Sequence, residues 1–258
     1  MQKISVYILT CNEEAKIGAA IESVRWADEV VVVDSESTDN TVPMARTLGA
    51  RVVDIPFKGF GSLRNAAIEA CSHEWIFSLD ADERCTPELA SEIREILNAS
   101  DPADAYYVPR KNWFLGRWIR HSGWYPDYRQ PQLFRKGAII FREEDEVHEG
   151  YRLEGRAGCL KNCVNQFPFR NLEQLQAKAN RYSSLGADKL MRRGVTGSMA
   201  MALAHGLWAF LHIYIIKMGF LDGWAGFMIA FGNLEGTFYR YAKLTERQSG
   251  WNHPPDEH

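Results

Sequence analysis

A chain of 258 residues can bury a full core, as one large domain or as one domain with an appendage. Its 30 Lys and Arg against 33 Asp and Glu leave a formal net charge of -3, which excludes a broad basic field and with it nucleic acid as the main partner. A mean hydropathy of -0.31 excludes a polytopic membrane protein but not a single anchor.

Ile4 to Thr10 is an apolar, β-rich run, and Cys11-Asn12-Glu13-Glu14 follows it. Ile17, Ala20, Ile21 and Val24 then repeat with helical spacing. Glu29 to Asp34 carries four consecutive valines, the pattern of a strand covered on both faces. Ser35-Glu36-Ser37-Thr38-Asp39 supplies turn and N-cap residues ahead of a helix through Ala45 to Leu48. Arg51 to Ile55 reads as a third strand, Ser62 to Ala70 as a helix and His73 to Leu79 as a fourth strand. Thr86 and Pro87 open a further helix as N-cap and first-turn residue, with Leu89, Ile93, Ile96 and Leu97 as its inner stripe.

This alternation predicts an α/β fold with a mostly parallel sheet, flanking helices and right-handed crossovers. Ligands of such sheets bind outside the carboxyl ends of the strands. Three polar clusters fall at those ends: Thr10 to Glu14, Asp34 to Asp39 and Asp80 to Glu83. Together they predict one nucleotide-sized site. The chain has neither G-x-G-x-x-G nor a P-loop sequence, so dinucleotide and ATP readings lose their best support.

Asp80-Ala81-Asp82-Glu83 is the most informative of these clusters. Carboxylates at alternate positions leave an extended chain toward the same side. Two of them make an oxygen-rich site suited to Mg²⁺ or Mn²⁺ carrying a diphosphate. A solvated acidic turn is the alternative for an isolated Asp-x-Asp.

In this company the first hundred residues resemble the family 2 glycosyltransferases, whose fold is called GT-A. The resemblance rests on Ile8-Leu9-Thr10-Cys11-Asn12-Glu13-Glu14, on Val32 to Thr41, on Gly61-Ser62-Leu63-Arg64-Asn65-Ala66-Ala67 and on Asp80-Ala81-Asp82-Glu83, in that order and spacing. A narrower resemblance covers nearly the whole chain. Trp26-Ala27-Asp28-Glu29, His121-Ser122-Gly123-Trp124-Tyr125-Pro126-Asp127, Val147-His148-Glu149 and Gly219-Phe220-Leu221-Asp222-Gly223 are similar to the lipopolysaccharide core β-glucosyltransferases, which add glucose to an inner-core heptose. Gln132-Leu133-Phe134 departs from those relatives, which carry an Arg-Leu pair before the aromatic.

The resemblance implies roles. Thr10, Asn12 and Glu14 line the uracil and ribose side of a UDP-sugar donor, and Asp34 accepts a hydrogen bond from the base. Arg64 neutralises diphosphate charge or contacts Asp80, using its planar fork. Asp80 faces the ribose and the metal, and Asp82 is the main ligand of Mg²⁺ or Mn²⁺. The bland alternatives are a helix N-terminus for Glu13 and Glu14, a turn former for Asp34 and a surface helix residue for Arg64.

Inversion at an anomeric carbon needs a base on the face opposite the leaving group. The acidic run Arg142 to Glu149 offers several carboxylates. Val147-His148-Glu149 matches the family motif, so Glu149 is the expected base, with His148 orienting it or touching substrate and Asp145 or Glu146 as alternatives. Upstream lies an aromatic and basic stretch that includes Trp113, Trp118, Arg120 and His121. Aromatic faces stack on sugars, and Trp124, Tyr125 and Asp127 are its acceptor-binding candidates.

Five cysteines without a disulfide-scaffold spacing, and the lack of a secretory signal pattern, predict a reducing cytoplasm. Cys159 and Cys163 read as ordinary thiols. After Arg170 the pattern turns helical. Met199 to Ile216 is mostly apolar and flanked by cations, which suits a bilayer span, an interfacial hairpin or a buried interface. The expected organisation is a GT-A domain at 1–170, with a nucleotide-sugar half at 1–100 and an acceptor half at 101–170. A helical membrane-associating segment follows at 171–247, then a disordered tail from Gln248 to His258. The expectation is an inverting, metal-dependent hexosyltransferase, cytoplasmic and peripheral or monotopic on the inner membrane. It moves glucose from a UDP-sugar to a lipid-anchored glycan. Another surface glycan or a polyprenyl-linked acceptor is the alternative, as is a non-catalytic glycan-binding protein at the membrane.

Overall fold

The computed structural model describes residues 2–128, 130–142 and 150–249. Its strands and helices begin with β1 (Ile4–Thr10), α1 (Glu14–Ser23), β2 (Glu29–Asp34), α2 (Thr41–Thr47), β3 (Arg51–Asp54), α3 (Phe60–Ala70) and β4 (Trp75–Asp80). There follow β5 (Glu83–Cys85), α4 (Pro87–Asn98), β6 (Ala105–Tyr107), β7 (Arg110–Phe114), β8 (Arg117–Trp118), β9 (Pro131–Arg135), β10 (Ile139–Phe141) and β11 (Tyr151–Leu153). The chain continues through β12 (Ala157–Cys159), β13 (Val164–Gln166), α5 (Leu172–Arg192), α6 (Met199–Leu211) and α7 (Gly223–Ser249).

The chain divides into two compact units, Met1–Lys111 with Pro126–Gln166, and Asn112–Tyr125 with Phe167–His258. The stretch 112–125 thus clusters with the C-terminal helices, where the sequence pattern had put it in the acceptor half of a domain ending at 170. The reason is a small apolar cluster in which Phe114 and Ile119 pack with Ala225 and Ile229 of α7. Composition marks where helices begin, and gives no sign that an earlier strand pair joins them.

In the first unit a seven-stranded sheet has the order β12-β6-β9-β4-β1-β2-β3. β4, β1, β2 and β3 are parallel neighbours, and β9 pairs antiparallel with both β4 and β6. Alternation along each strand feeds two cores. Val6 and Ile8 of β1, Val32 of β2 and Phe77 and Leu79 of β4 face a layer that includes α1 and α4. Tyr7, Leu9, Val31, Val33 and Ile76 face the other layer, which includes Leu63, Ala67 and Ile68 of α3. The valine run therefore serves both faces, as a covered parallel strand must. Thr10 is in register with Asp34, and Leu9 with Asp80, so β1, β2 and β4 end along one edge.

The second unit is a helical assembly in which α7 packs against both α5 and α6. Asn171 caps α5 by accepting from the Gln174 amide at 2.9 Å, and Ser198 caps α6 by accepting from Met201 at 3.2 Å. Lys243 of α7 reaches Asn180, Ser183 and Ser184 of α5. α6 runs on through a π-helical turn, His212–Ile216, and a 3₁₀ turn, Gly219–Asp222, leads into α7. A Cβ on Gly226 would lie 1.9 Å from the Gly219 carbonyl oxygen, so this close crossing requires glycine. Met199–Ile216 is long and apolar enough to cross a membrane, and only 11% of it is buried. α7 continues through Gln248 and Ser249, two residues into the predicted tail. Gln248 accounts for this, accepting from the Gly197 amide and donating to the Val195 carbonyl, each at 2.8 Å. The rest of that tail lies outside the described residues.

Glu29, at the start of β2, ties the opposite edge of the sheet. It accepts from Ser5 Oγ at 2.5 Å, from the Ser72 amide and hydroxyl at 2.8 Å each, and from Arg51 Nη2 at 2.8 Å. Burial pushes its carboxyl up, but these donors outweigh it and bring the pKa from 4.5 down to about 2. A depressed carboxylate stabilises the fold fully above its unfolded value and stops doing so as pH falls through the folded value. The stability Glu29 supplies should therefore disappear between roughly pH 4.5 and pH 2. Urea unfolding across that window should show a shallower acid loss in Glu29→Gln than in the wild type.

Candidate active site

β1, β2 and β4 end at a cavity of about 600 Å³ in the first unit. Thr10, Cys11 and Glu13 line it from the first strand and its loop, Ser35 and Glu36 from the second, and Asp80, Ala81 and Asp82 from the fourth. Phe57, Phe60 and Arg64 form a further wall. Two loop residues here, Asn12 at φ 54° and Glu36 at φ 60°, hold left-handed backbone without being glycine. Such conformations collect where a site over-determines its loops.

Three of the residues expected at the donor brace loops instead of lining the cavity. Asn12 Oδ1 accepts from the Thr38 amide at 2.8 Å, and the Asn12 amide donates to Ser37 Oγ at 2.8 Å. Glu14 is exposed and accepts from the Asn40 amide at 3.0 Å. Asp34 is buried, with one oxygen accepting from the Ser37 amide at 2.9 Å and the other from Ser37 Oγ at 2.5 Å. Together they stitch the loop after β1 to the loop after β2. Thr10 is different: its hydroxyl is buried at the cavity with no hydrogen-bond partner among the described residues. A buried, unpaired polar atom facing a cavity is suited to a polar ligand.

The acidic loop is the electrostatic centre of this edge. Arg64 is buried and donates through Nη1 to Ser78 Oγ and through Nη2 to Asp80 Oδ1, each at 3.2 Å. Among the described residues Asp82 receives two long contacts, 3.4 Å each, from Gln166 Nε2. Burial, and then the charge of Asp80, push the Asp82 carboxyl above the usual aspartate value. Two crowded carboxylates, one weakly partnered, form a hard oxygen donor set that fits Mg²⁺ or Mn²⁺. Among the described residues no cluster of three or more metal-ligating side chains occurs.

A family model, glycosyl transferase family 2, matches residues 5–151. The chain belongs to this family. It is 34% identical over 257 residues to an uncharacterized glycosyltransferase of Rickettsia typhi, covering 95% of this chain and 88% of the relative. It is 31% identical over 258 residues to the lipopolysaccharide core biosynthesis glycosyltransferase LpsC of Rhizobium meliloti, covering 95% of this chain and 93% of that protein. The crystal structure of S. aureus TarS 1–349 shares the fold, with a TM-score of 0.51 and 17% identity over 96% of this chain and 92% of that one.

In this glycosyltransferase the residues expected on the acceptor side are divided between the two units. Trp124 packs in the second unit beside Phe114, with ring centroids 6.1 Å apart, and Tyr125 meets Trp118 edge-on. Asp127 belongs to the first unit, where it bridges to Arg110. Glu149, His148 and Asp145, expected to supply the base, lie outside the described residues. Two features of this edge had no sequence signal strong enough to find. Phe57 and Phe60 pack edge-to-face at 5.0 Å, and an exposed aromatic pair three residues apart across the start of α3 is the only hint. Gln166 reaches Asp82 from 84 positions away.

Glu83 was legible as an acid but its task was not. It is fully buried and holds the loop from beneath, accepting from Arg110 Nε at 2.5 Å, the Asp80 amide at 3.0 Å and Gln132 Nε2 at 2.9 Å. Burial works against the charge on Arg110, yet Glu83 and Asp80 outweigh it and keep the guanidinium protonated. Glu83→Gln leaves Arg110 buried without its counter-ion, which costs about 3–5 kcal/mol. Urea unfolding should show that loss, and Glu83→Leu with Arg110→Met should recover much of it while leaving donor turnover impaired.

Proposed function

We propose that this glycosyltransferase is an inverting, metal-dependent hexosyltransferase. In this reading it moves glucose from UDP-glucose to a lipid-anchored glycan, the inner-core heptose of lipopolysaccharide, at the cytoplasmic face of the inner membrane. The observation that carries the reading is the Asp80 and Asp82 pair beside Arg64 on the rim of a cavity of about 600 Å³. That volume accommodates a nucleotide-sized ligand. The similarity to LpsC along 95% of the chain supports the acceptor class. The exposed apolar surface of Met199–Ile216 supports a membrane location.

Asp82, with Asp80, would hold the divalent cation, which when bound offsets the charge that develops on the departing UDP. Arg64 is placed to share that task, since its fork already spans Ser78 and Asp80. Thr10 supplies its unpaired hydroxyl to the nucleotide, while Asn12, Glu14 and Asp34 hold the loops against which the nucleoside rests. Glu149 takes the proton of the acceptor hydroxyl as that oxygen bonds to the anomeric carbon. The bond from that carbon to the diphosphate oxygen breaks on the opposite face. His148 orients Glu149, and Asp145 is the alternative base. Trp124, Tyr125 and Asp127 contact the acceptor glycan.

Asp82→Asn should lower UDP release with purified acceptor lipid by about 100-fold or more. Undiminished transfer would leave only a glycan-binding role. Asp82 must lose its proton to hold a cation, and its pKa is raised, so Mn²⁺ affinity should fall on acidification at a pH above the ordinary aspartate range. Asp80→Asn removes a repelling charge and should move that fall to lower pH, a shift readable by calorimetric Mn²⁺ titration.

Glu149→Gln should bind UDP-glucose as tightly as the wild type yet transfer at least about 100-fold more slowly. Separate measurement of donor affinity and single-turnover rate resolves the two effects. Normal transfer in that variant, with loss in Asp145→Asn, assigns the base to Asp145.

A further inference from the structure

The second unit holds a cavity that the donor chemistry does not use. Its volume is about 590 Å³, and its walls include Trp113, Arg117, Trp118, Arg120, His121 and Asp222. The geometry points to this cavity as a binding site for the phosphate of an anionic membrane phospholipid.

Charge is the first argument. Asp222 is buried, and its carboxylate is fully engaged by its own unit. Oδ1 accepts from the Arg120 amide at 3.1 Å and from His121 Nδ1 at 3.2 Å; Oδ2 accepts from the His121 amide at 3.1 Å and Ser122 Oγ at 2.8 Å. The anion is thus turned to the backbone, while Arg117 and Arg120 are both exposed. Arg117 Nη2 donates to the Leu221 carbonyl at 3.3 Å, which fixes one edge of its fork. The Arg120 guanidinium lies 4.4 Å from the centroid of Trp118. A stacked guanidinium keeps its in-plane N–H groups available, and a guanidinium fork matches phosphate geometry.

Location is the second argument. Leu221 and Asp222 belong to the turn that joins α6 to α7, so the cavity opens at the tip of that helical hairpin. The same tip exposes Ile215, Ile216, Met218, Phe220 and Leu221 at about half their surface each, and Trp224 at 81%. A soluble surface seldom gathers so many large apolar side chains. Arginines and tryptophans beside an apolar tip occupy the level at which a bilayer places its headgroups. A free phosphate in solution would explain the arginines but not the apolar tip.

This inference rests on the membrane-facing reading of the hairpin, and the test separates the two. The full chain is floated with phosphatidylcholine vesicles, with and without phosphatidylglycerol, at matched salt. The wild type should bind the phosphatidylglycerol vesicles. Arg117→Gln with Arg120→Gln should weaken that binding by roughly 30-fold, the effect of two cations at an anionic surface. Arg192→Gln with Arg193→Gln, which removes two exposed arginines at the end of α5, should weaken it by less than about 3-fold. Far-UV circular dichroism checks that each variant is folded. Equal losses in the two double variants overturn the site and leave only diffuse attraction, with the membrane reading intact. No loss in the Arg117 and Arg120 variant also overturns it. A wild type that binds no vesicle overturns both, whatever its transfer activity.

Discussion

Glu83 never meets solvent, and its two oxygens gather a guanidinium, a backbone amide and a side-chain amide from β7, β4 and β9. That convergence decides where Asp80 and Asp82 stand. The loop between β4 and β5 has no helix of its own to stiffen it, and its carboxylates repel one another. A buried acid accepting from the Asp80 amide fixes the first of them at the strand end. Arg84 braces the same loop, donating to the Ala81 carbonyl at 2.8 Å and to the Lys16 carbonyl at 2.8 Å. The acidic motif thus has two layers. Glu83 faces down and is structural, whereas Asp80 and Asp82 face the cavity.

Much of this was legible in the sequence because the signals were local. Four valines in a row read as a two-faced strand, and they are one. Thr86 and Pro87 read as a helix start, and Thr86 Oγ1 does accept from the Leu89 amide at 3.2 Å. Asp80 and Asp82 stood at a strand end and lie at the cavity. What was not legible depends on partners far away in the chain. Nothing near Asp82 announces Gln166, and nothing near Gln132 announces that it closes on Glu83. Gln132 stands where relatives of the resemblance carry arginine. With Arg110 already on Glu83, a second guanidinium there would bring a further buried charge.

Asn12, Glu14 and Asp34 show a related limit. Motif position placed them near a nucleotide, and they do sit on the loops at that edge. Their polar atoms, however, are engaged with Ser37, Thr38 and Asn40. A sequence pattern reports which residue types a site needs but not whether a given side chain faces ligand or loop. The same loops carry the left-handed backbone of Asn12 and Glu36. Side-chain bonds that lock two strained loops together make them a preformed wall, which lowers the ordering cost when a ligand arrives.

The cations around the acidic loop then explain why the site suits a divalent metal. Lys16 is buried within 3.3 Å of Glu13 Oε2, so its charge is shared with an acid that itself lines the cavity. Arg110 is held by Glu83, and Arg84 by backbone carbonyls. Arg64 reaches Ser78 and Asp80. The Asp82 carboxyl is meanwhile pushed toward its protonated form by burial and by Asp80. An anionic diphosphate entering this cavity would make the crowding worse. A divalent cation held by Asp80 and Asp82 would offset both repulsions, whereas a further lysine would neutralise only one charge. The fold therefore places its arginines to hold the loop and leaves excess negative charge at the cavity.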